Sequence, residues 1–436
     1  MLKSTKNIFL LIFGIVILSV SCSKNPNPIP DPPTPPTPIG ASRTVLVYMI
    51  ADNDLHGYGF QNLNQMESAW LDEYNGSIVV LYNPPAKGTA YARLQPGYNV
   101  ATYDQTTRLL LVQKDDNDKV IASKELKNYG MADPTDPEFF AGVIQDVRAL
   151  TPAASYGLIM WSHGTGWLPY ETAPRRSRAL DGNGEILTRN DNFVPINNGA
   201  TQFSIGLTAA ERKLDIDKME RALPEDLNWD FIAFDACYMG GIEVVYQLRD
   251  RARYTISSTC EVLAQGFPYT DIVSSMMANQ ADLIGIARKT YDFYSKQSDP
   301  MYRTVSIAVL DNSKLDALAA EVKNIVTLYP KTKTDIPRTT IQDFGYNLSL
   351  LRTFYDLGDF MDKTWPEVSM DGFNQALSNA IVVKYNCDYI IGTYPLTKFS
   401  GLSTYLPGGN PTLDTVYSND SRFSWPSASG LKTMIR

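Results

Sequence analysis

From residue 43 onward, short runs of consecutive apolar residues alternate with longer stretches in which apolar positions recur at helical spacing. The runs that predict strands are 43–55, 77–83, 108–113, 155–164, 231–234, 253–259 and 304–311. The stretches that predict helices between them are 137–150, 214–223 and 281–297. Continuous apolar runs separated by helices are typical of parallel strands covered on both faces, so the pattern predicts an α/β fold with a mostly parallel sheet.

Polar segments follow several of these predicted strands at the point where each strand ends. They are "ADND" after the first strand, and "SHG", "DAC" and "STCE" after three later ones. In parallel sheets with helices on both faces, ligands bind outside the carboxyl ends of the strands. We therefore expect the functional site where these four segments meet.

The pattern changes from about residue 321. Helical stretches such as "DALAAEVKNIVTLY" and "FNQALSNAIVV" precede "GLSTYLPGG" (401–409), which predicts a short strand and a turn. We interpret this part as a smaller subdomain packed on the first. The predicted divisions are a signal peptide at 1–22, a proline-rich linker at 23–41, a main domain at 42–320 and a C-terminal subdomain at 321–436.

The amino terminus predicts export. Lys3 and Lys6 precede an apolar run at residues 8–20, which is short for a membrane span and typical of a signal peptide. The run ends before Cys22 in a sequence that resembles a bacterial lipoprotein signal, with Cys22 as the lipidated residue; a plain cleaved signal is the alternative. The proline density of residues 25–40 predicts an extended spacer. We expect a chain that is exported and attached by lipid to a bacterial membrane, facing the periplasm or the cell surface.

Composition limits the classes of function. The 436 residues carry a net charge of −8 and no strong basic stripe, which argues against nucleic acid as the main partner. The four cysteines are too few for a disulfide framework. An apolar fraction of 44% supports a sizeable core.

Cys237 and His163 are the candidate chemical groups. Each follows a buried strand, so both are expected at the same sheet edge. A thiol at its ordinary pKa is mostly protonated near neutral pH and needs a base or ion-pair partner to act as a nucleophile. The alternative is that Cys237 is an inert core residue and His163 a structural one. Buried cysteines are commonly inert, and lone histidines commonly have a structural role. The other histidine, His56, is less well placed.

The segments "TVLVYMIADNDL", "GLIMWSHGTGW", "FIAFDACYMGGIEVVYQLRD" and "FSGLSTYLP", in this order, resemble the clostripain (C11) cysteine peptidases. The resemblance runs over about residues 43 to 410. It implies a caspase-like three-layer α/β/α sandwich with a smaller C-terminal subdomain, and hydrolysis after basic residues. It also implies that His163 and Cys237 are catalytic, and that the backbone N–H groups of Gly164 and Cys237 stabilise the oxyanion. The resemblance also implies a catalytic dyad of cysteine and histidine, so no third catalytic residue is expected.

The resemblance further implies that Asp235 lies in the pocket for P1, the substrate residue before the scissile bond. A carboxylate there would pair with Arg or Lys. The alternative is that Asp235 caps the following helix. Glu261 is the other acidic candidate for this pocket, whereas Gln265 stands near where a further acid is expected, which weakens the expectation of a strict preference for Arg.

The polar segment 169–184 between His163 and Cys237 predicts an exposed loop. In a peptidase that cleaves after basic residues, this loop suggests self-processing after Arg178, or less favourably after Arg176; a solvated basic loop is the alternative. A reversible disulfide between Cys237 and Cys260 is a further hypothesis, and the alternative is that Cys260 is a buried unpaired thiol.

We expect no required cofactor. Some clostripain relatives are associated with calcium, but neither "ADND" nor "DDND" (115–118) matches a calcium-binding loop. The expected partners are protein or peptide substrates with a basic P1, and the expected state is a monomer of one chain or of two associated chains. A non-catalytic surface binding protein and a transpeptidase or ligase are the alternative functions.

Overall fold

The computed structural model describes residues 41–85, 106–168, 212–227, 229–345, 353–419 and 422–435. These described residues all belong to one compact unit. Within the described ranges, no helix is both long enough and apolar enough to cross a membrane.

The centre of the fold is a sheet of nine strands, counted over the described residues. In chain order these are β1 (Ala41–Ile50), β2 (Gly76–Asn83), β3 (Arg108–Leu111), β4 (Lys124–Asn128), β5 (Ala153–Trp161), β6 (Trp229–Asp235), β7 (Tyr254–Ser257), β8 (Ser306–Asp311) and β10 (Ile381–Asn386). Their spatial order is β10-β8-β7-β6-β5-β1-β2-β3-β4. Four short strands pair outside this sheet: β9 (Tyr355–Asp356) with β13 (Ser403–Thr404), and β11 (Tyr389–Ile390) with β12 (Tyr394–Pro395).

The five central strands are parallel, which confirms the mostly parallel sheet. The flanking strands β3, β4, β8 and β10 pair in an antiparallel sense. The runs 108–113 and 304–311, which contain β3 and β8, supply two of the strands that are not parallel. An apolar run reports only that both faces of a strand are covered, and β8 is buried along most of its length although it is antiparallel.

Helices cover both faces of the sheet. The helices are α1 (His56–Ala69), α2 (Pro137–Leu150), α3 (Ile216–Ala222), α4 (Ile242–Gln247), α5 (Tyr269–Met276), α6 (Leu283–Ser295), α7 (Leu315–Leu328), α8 (Leu357–Thr364), α9 (Asp371–Ala380), α10 (Pro411–Tyr417) and α11 (Trp425–Ala428). Alternate residues of β1 belong to two separate apolar cores. Tyr48 belongs to the core that includes residues of α2, α3 and α7, whereas Val47 belongs to the core that includes residues of α1, α5 and α6. This arrangement is the three-layer α/β/α sandwich.

The helix predicted at 137–150 is confirmed as α2, and its first turn shows why the sequence begins a helix there. The Asp136 carboxylate accepts hydrogen bonds from the backbone N–H groups of Glu138 and Phe139, and Pro137 occupies the first helical position. A carboxylate cap and a proline at this position both favour helix initiation.

The C-terminal part is built into the same sheet. The predicted division after residue 320 falls within α7, and β10 adds a strand next to β8. The strand predicted in 401–409 is confirmed as β13. Leu402 and Trp425 belong to the same apolar core as residues of β1 and β5. The C-terminal residues therefore contribute to the central sheet and to one of its two apolar cores.

Candidate active site

The register of β5 and β6 places the two candidate catalytic residues side by side. In this parallel pair Trp161 lies opposite Asp235, and His163 and Cys237 each follow two residues later. The backbone beyond the strands stays in close contact, since a Cβ built on Gly164 would lie 2.5 Å from the carbonyl oxygen of Cys237. His163, Gly164 and Cys237 thus meet at one point of the carboxyl edge.

The imidazole of His163 is held by a carboxylate that the sequence analysis did not identify. Its Nε2 lies 2.7 Å from Oδ1 of Asp54, and both side chains are buried. Asn53 shapes this loop after β1, because its side chain accepts a hydrogen bond from the backbone N–H of Leu55. The sequence indicated acidic residues at this edge through "ADND" at the end of the first strand. It did not show which of the two carboxylates in that segment contacts the histidine.

The thiol of Cys237 is buried and contacts the segment after β7. Its Sγ accepts a hydrogen bond from the backbone N–H of Val262 at 3.1 Å and lies 3.6 Å from the carbonyl oxygen of the same residue. A peptide N–H directed at sulfur stabilises a thiolate relative to a thiol. The segment around Val262 therefore forms one wall of the candidate site.

Tyr238, directly after Cys237, has an unusual backbone conformation, with φ of 59°. A non-glycine residue is uncommon in this region, and such outliers cluster at functional sites. Its N–H donates to the carbonyl oxygen of Cys260 at 3.0 Å, and its ring stacks on Phe354 with centroids 4.5 Å apart. These contacts fix the direction in which the chain turns after Cys237.

Asp235 is fully buried at the end of β6. Its Oδ2 accepts hydrogen bonds from the backbone N–H of Phe267 and the hydroxyl of Tyr269, both at 3.1 Å. Asp235 thus holds the segment before α5 against the sheet.

Glu261 is buried beside the residue that follows Cys237. Its Oε1 accepts a hydrogen bond from the hydroxyl of Tyr238 at 3.3 Å. It lines a cavity of about 20 Å³ together with Val262 and Phe267. A cavity of this size holds about one water molecule and is too small for an arginine side chain. The backbone oxygen of Gln265, in the same wall, accepts from the side chain of Asn62.

Cys260 and Cys237 are not joined by a disulfide in the structure. The sulfur of Cys260 faces the hydroxyl of Thr259 at 3.7 Å, whereas that of Cys237 faces Val262. Burial raises the pKa of the Cys260 thiol to about 12. At neutral pH such a thiol is almost entirely protonated and a poor nucleophile. This disfavours formation of a disulfide with Cys237 by thiol–disulfide exchange.

The described residues contain no group of three or more His, Cys, Asp or Glu side chains placed to hold a metal ion. In the two acidic segments considered for calcium, Asp54 contacts His163, while Asp116 and Asp118 form ion pairs with neighbouring lysines. The second histidine, His56, is buried near Asp54, and burial lowers its pKa. Cys22, Arg176 and Arg178 lie outside the described residues.

The chain matches the family model described as the clostripain family over residues 47–191 and 206–426. It is 21% identical to clostripain of Hathewaya histolytica over 433 residues, which cover 88% of this chain and 78% of that protein. Among solved structures it is similar to an inactive zymogen of a C11 protease from Parabacteroides distasonis, with a TM-score of 0.66 and 26% identity over 90% of this chain and 99% of the other. It is also similar to the secreted C11 cysteine protease iotapain from Bacteroides thetaiotaomicron, with a TM-score of 0.67 and 25% identity over 90% of this chain and 100% of the other.

Proposed function

The chain belongs to the clostripain family and is a cysteine peptidase, and we propose that it is an exported endopeptidase that cleaves after basic residues. Cys237 is the nucleophile and His163 is the base and acid. The observation that carries this proposal is the β5–β6 register, which brings the two residues to the same edge two positions beyond Trp161 and Asp235.

In the proposed reaction, the Cys237 thiol gives its proton to His163, and the sulfur attacks the carbonyl carbon of the scissile peptide bond to form a tetrahedral oxyanion. The backbone N–H groups of Gly164 and Cys237 donate to that oxygen. Collapse expels the amine, which takes a proton from His163, and leaves a thioester on Cys237. Water then attacks the thioester, losing its proton to His163, and releases the carboxylic acid and the thiol.

Asp54 is proposed to orient His163. Because Nε2 of the ring is held by the Asp54 carboxylate, proton transfer to and from substrate is assigned to Nδ1. A buried carboxylate also stabilises the imidazolium that forms when the ring takes a proton. The thiol, imidazole and backbone N–H groups supply the proposed chemistry, so the proposal needs no cofactor.

The preference for Arg, with Lys also accepted, is assigned to Asp235 and Glu261. Both carboxylates are buried, one two residues before Cys237 and the other hydrogen-bonded to Tyr238 directly after it. Both also contact or belong to the wall formed by residues 261–269. A basic P1 side chain that enters beside Cys237 would therefore reach negative charge on moving this wall aside.

We further propose that the enzyme is made as a zymogen and cleaves itself after Arg178, with Arg176 as the second choice. Burial of Cys237 and the small cavity beside Glu261 support a form of the site that does not yet admit substrate. The two products would stay associated, because β5 and β6, on opposite sides of the cleavage, are paired in one sheet. Export with a lipid on Cys22 would place this activity at a bacterial membrane.

The principal test measures turnover of peptide fluorogenic substrates with Arg, Lys, Asp or Leu at P1 under reducing conditions. We expect turnover of the Arg and Lys substrates that is lost in Cys237→Ala and in His163→Ala. Cys260→Ala is the matched control and should keep its activity. Turnover that persists in Cys237→Ala would refute the assignment of the nucleophile.

Self-processing is tested separately by intact mass. The active preparation should contain two chains whose masses match cleavage after residue 178, and Cys237→Ala should remain one chain. Arg178→Ala should shift cleavage to Arg176 or slow it, while Arg175→Ala should not. A single uncut chain with full activity would contradict the zymogen proposal without affecting the assignment of Cys237.

A further inference from the structure

The C-terminal segment Ser403–Tyr405 lies directly on the turn that follows Cys237. The N–H of Ser403 donates to the carbonyl oxygen of Gly240 at 3.0 Å, and Ser403 forms a parallel bridge with Gly241. The segment thus extends the backbone contacts of the Cys237 turn on the side away from β7. It lies more than 160 residues further along the chain, so this contact depends on tertiary folding.

Glu243 joins this segment to α4, the helix after Cys237. Its side chain is fully buried. Its Oε1 accepts two hydrogen bonds at 2.9 Å, from the backbone N–H of Tyr405 and the hydroxyl of Thr404. Burying a carboxyl group is costly unless both of its oxygens have hydrogen-bond partners. These two bonds supply partners for Oε1 but none for Oε2.

Trp167 connects the same segment to the loop of His163, which it follows by four residues. Its indole is fully buried and packs on the ring of Tyr405, with centroids 4.9 Å apart. Segment Ser403–Tyr405 is therefore in contact with the turn after Cys237, with α4 and with the loop after His163.

Three of the buried polar atoms that have no hydrogen-bond partner among the residues that the structure describes lie at this junction, close to Gly241: Oε2 of Glu243, Nε1 of Trp167 and Oγ of Ser403. They surround Gly241. A Cβ built on Gly241 would lie 3.2 Å from Glu243 Oε2, 3.7 Å from Ser403 Oγ and 3.8 Å from Trp167 Cδ1, the atom bonded to Nε1. The three groups thus converge on the space that the missing side chain of glycine leaves.

We propose that this space is a site for one buried water molecule, and that Glu243 is a positioning residue that ties the His163 and Cys237 loops together through it. The water accepts from the Trp167 indole N–H, donates to Glu243 Oε2 when the carboxyl group is ionised or accepts from it when it is protonated, and completes its hydrogen bonds with Ser403 Oγ. One water with three partners is typical of a conserved buried site. The positioning role rests on the proposed catalytic roles of His163 and Cys237, whereas the water site does not.

Glycine at 241 is explained by this site. The residue has φ of −69° and ψ of 133°, which any amino acid adopts, so its backbone does not require glycine. What a side chain would change is the space between the three polar groups. Gly241→Ala would expel the water and leave those groups buried without partners, whereas in an empty void the added methyl would be tolerated.

The first measurement is a crystal structure of the full chain at a resolution that shows ordered water. A water within hydrogen-bond distance of Glu243 Oε2, Trp167 Nε1 and Ser403 Oγ is expected, and a dry junction or a direct bond among the three would overturn the site. This result does not depend on activity, so an inactive preparation would count against the proposed function and leave the water site testable.

The positioning role is tested with Glu243→Gln, which keeps an acceptor for Tyr405 and presents an N–H to the water as the protonated acid does, and with Glu243→Ala, which offers neither. We expect Glu243→Ala to lower kcat about tenfold with KM unchanged, and Glu243→Gln to stay within about twofold. If Glu243→Ala does not fold, Trp167→Phe and Ser403→Ala replace it. Their effects on kcat should be smaller together than the sum of the two alone, because both remove partners of one water. Unchanged kcat in the folded variants would refute the positioning role.

Discussion

Trp161 and Asp235 are register partners at the ends of adjacent parallel strands, and this pairing sets the position of both proposed catalytic residues. His163 and Cys237 each follow their strand by two residues, so neither depends on a long loop for its placement. Sites that rigid elements position in this way keep reacting groups closer to their productive geometry than sites on mobile loops. We therefore expect activity to be sensitive to substitution of residues that set the distance between the His163 loop and the Cys237 loop.

Gly164→Ala should abolish most activity without unfolding the protein. The new Cβ would lie 2.5 Å from the carbonyl oxygen of Cys237 and 3.1 Å from its nitrogen, so the His163 and Cys237 loops would move apart. Because displacement of one oxyanion donor costs about 10²- to 10³-fold, we expect kcat to fall at least about 100-fold. The measurement is kcat with an Arg substrate, alongside circular dichroism.

Gly142→Ala is the matched control. Gly142 lies in α2, and a Cβ there would meet no atom within 4 Å. Activity should be unchanged, and stability should rise by about 0.5–1 kcal/mol because alanine is the better helix former. If Gly164→Ala and Gly142→Ala are equally active, catalysis does not require the close approach of Gly164 to Cys237.

Asp54 should contribute to the rate through His163. Asp54→Asn keeps an oxygen that can accept from Nε2 but removes the charge, and we expect kcat/KM to fall about tenfold. Asp54→Ala removes both, and the loss should be about 100-fold. Asp72→Asn, an exposed acid after α1, serves as the control and should behave as the wild type. A wild-type rate in Asp54→Ala would show that the contact with His163 is structural only.

The apolar pattern was sufficient to predict the central strands, because burial on both faces leaves a continuous run in the sequence. It could not predict that β3 and β8 are antiparallel, since strand direction depends on the path of the connection and not on side-chain burial. Similarly, the ends of the strands were sufficient to place His163 near Cys237.

Contacts between distant segments were not predictable from local pattern. Asp54 follows β1, and its contact with His163 depends on the adjacency of β1 and β5 in the sheet. The contact of Glu243 with Tyr405 joins residues far apart in the chain. Neither spacing nor periodicity carries this information, so the sequence shows each of these carboxylates without its partner.

Asp235 and Glu261 should set the preference at P1. In Asp235→Asn the amide oxygen can still accept from Phe267 and Tyr269, so the fold should persist while one negative charge is lost. Removing one partner of a buried charge pair costs about 3 kcal/mol, so kcat/KM for an Arg substrate should fall about 100-fold, with a Leu substrate little affected.

Glu261→Gln is the matched comparison, since glutamine can still accept from Tyr238. We expect a loss of about tenfold or more for the Arg substrate, again without an equal loss for Leu. The quantity to measure is the ratio of kcat/KM for Arg to that for Leu. If this ratio is unchanged in both variants, the pocket charge lies elsewhere.

Glu243 should make the folding stability fall as the pH rises. Burial raises the pKa of its carboxyl group from 4.5 to about 7. Below pH 4.5 the group is protonated in both the folded and the unfolded chain. Between these two values the folded chain still holds the proton and the unfolded chain does not, so raising the pH favours unfolding. The loss is complete above about pH 7 and is on the order of 3 kcal/mol.

Glu243→Gln mimics the protonated acid and cannot ionise, so its stability should not carry this decline. The measurement is the free energy of unfolding in denaturant at pH 5 and pH 8, for wild type, Glu243→Gln and the exposed control Glu73→Gln. Wild type and Glu73→Gln should lose stability between the two pH values by a similar amount. The decline in Glu243→Gln should be smaller by up to about 3 kcal/mol. Equal declines in all three proteins would show that Glu243 is already ionised in the fold at pH 5, and that another group satisfies its buried charge.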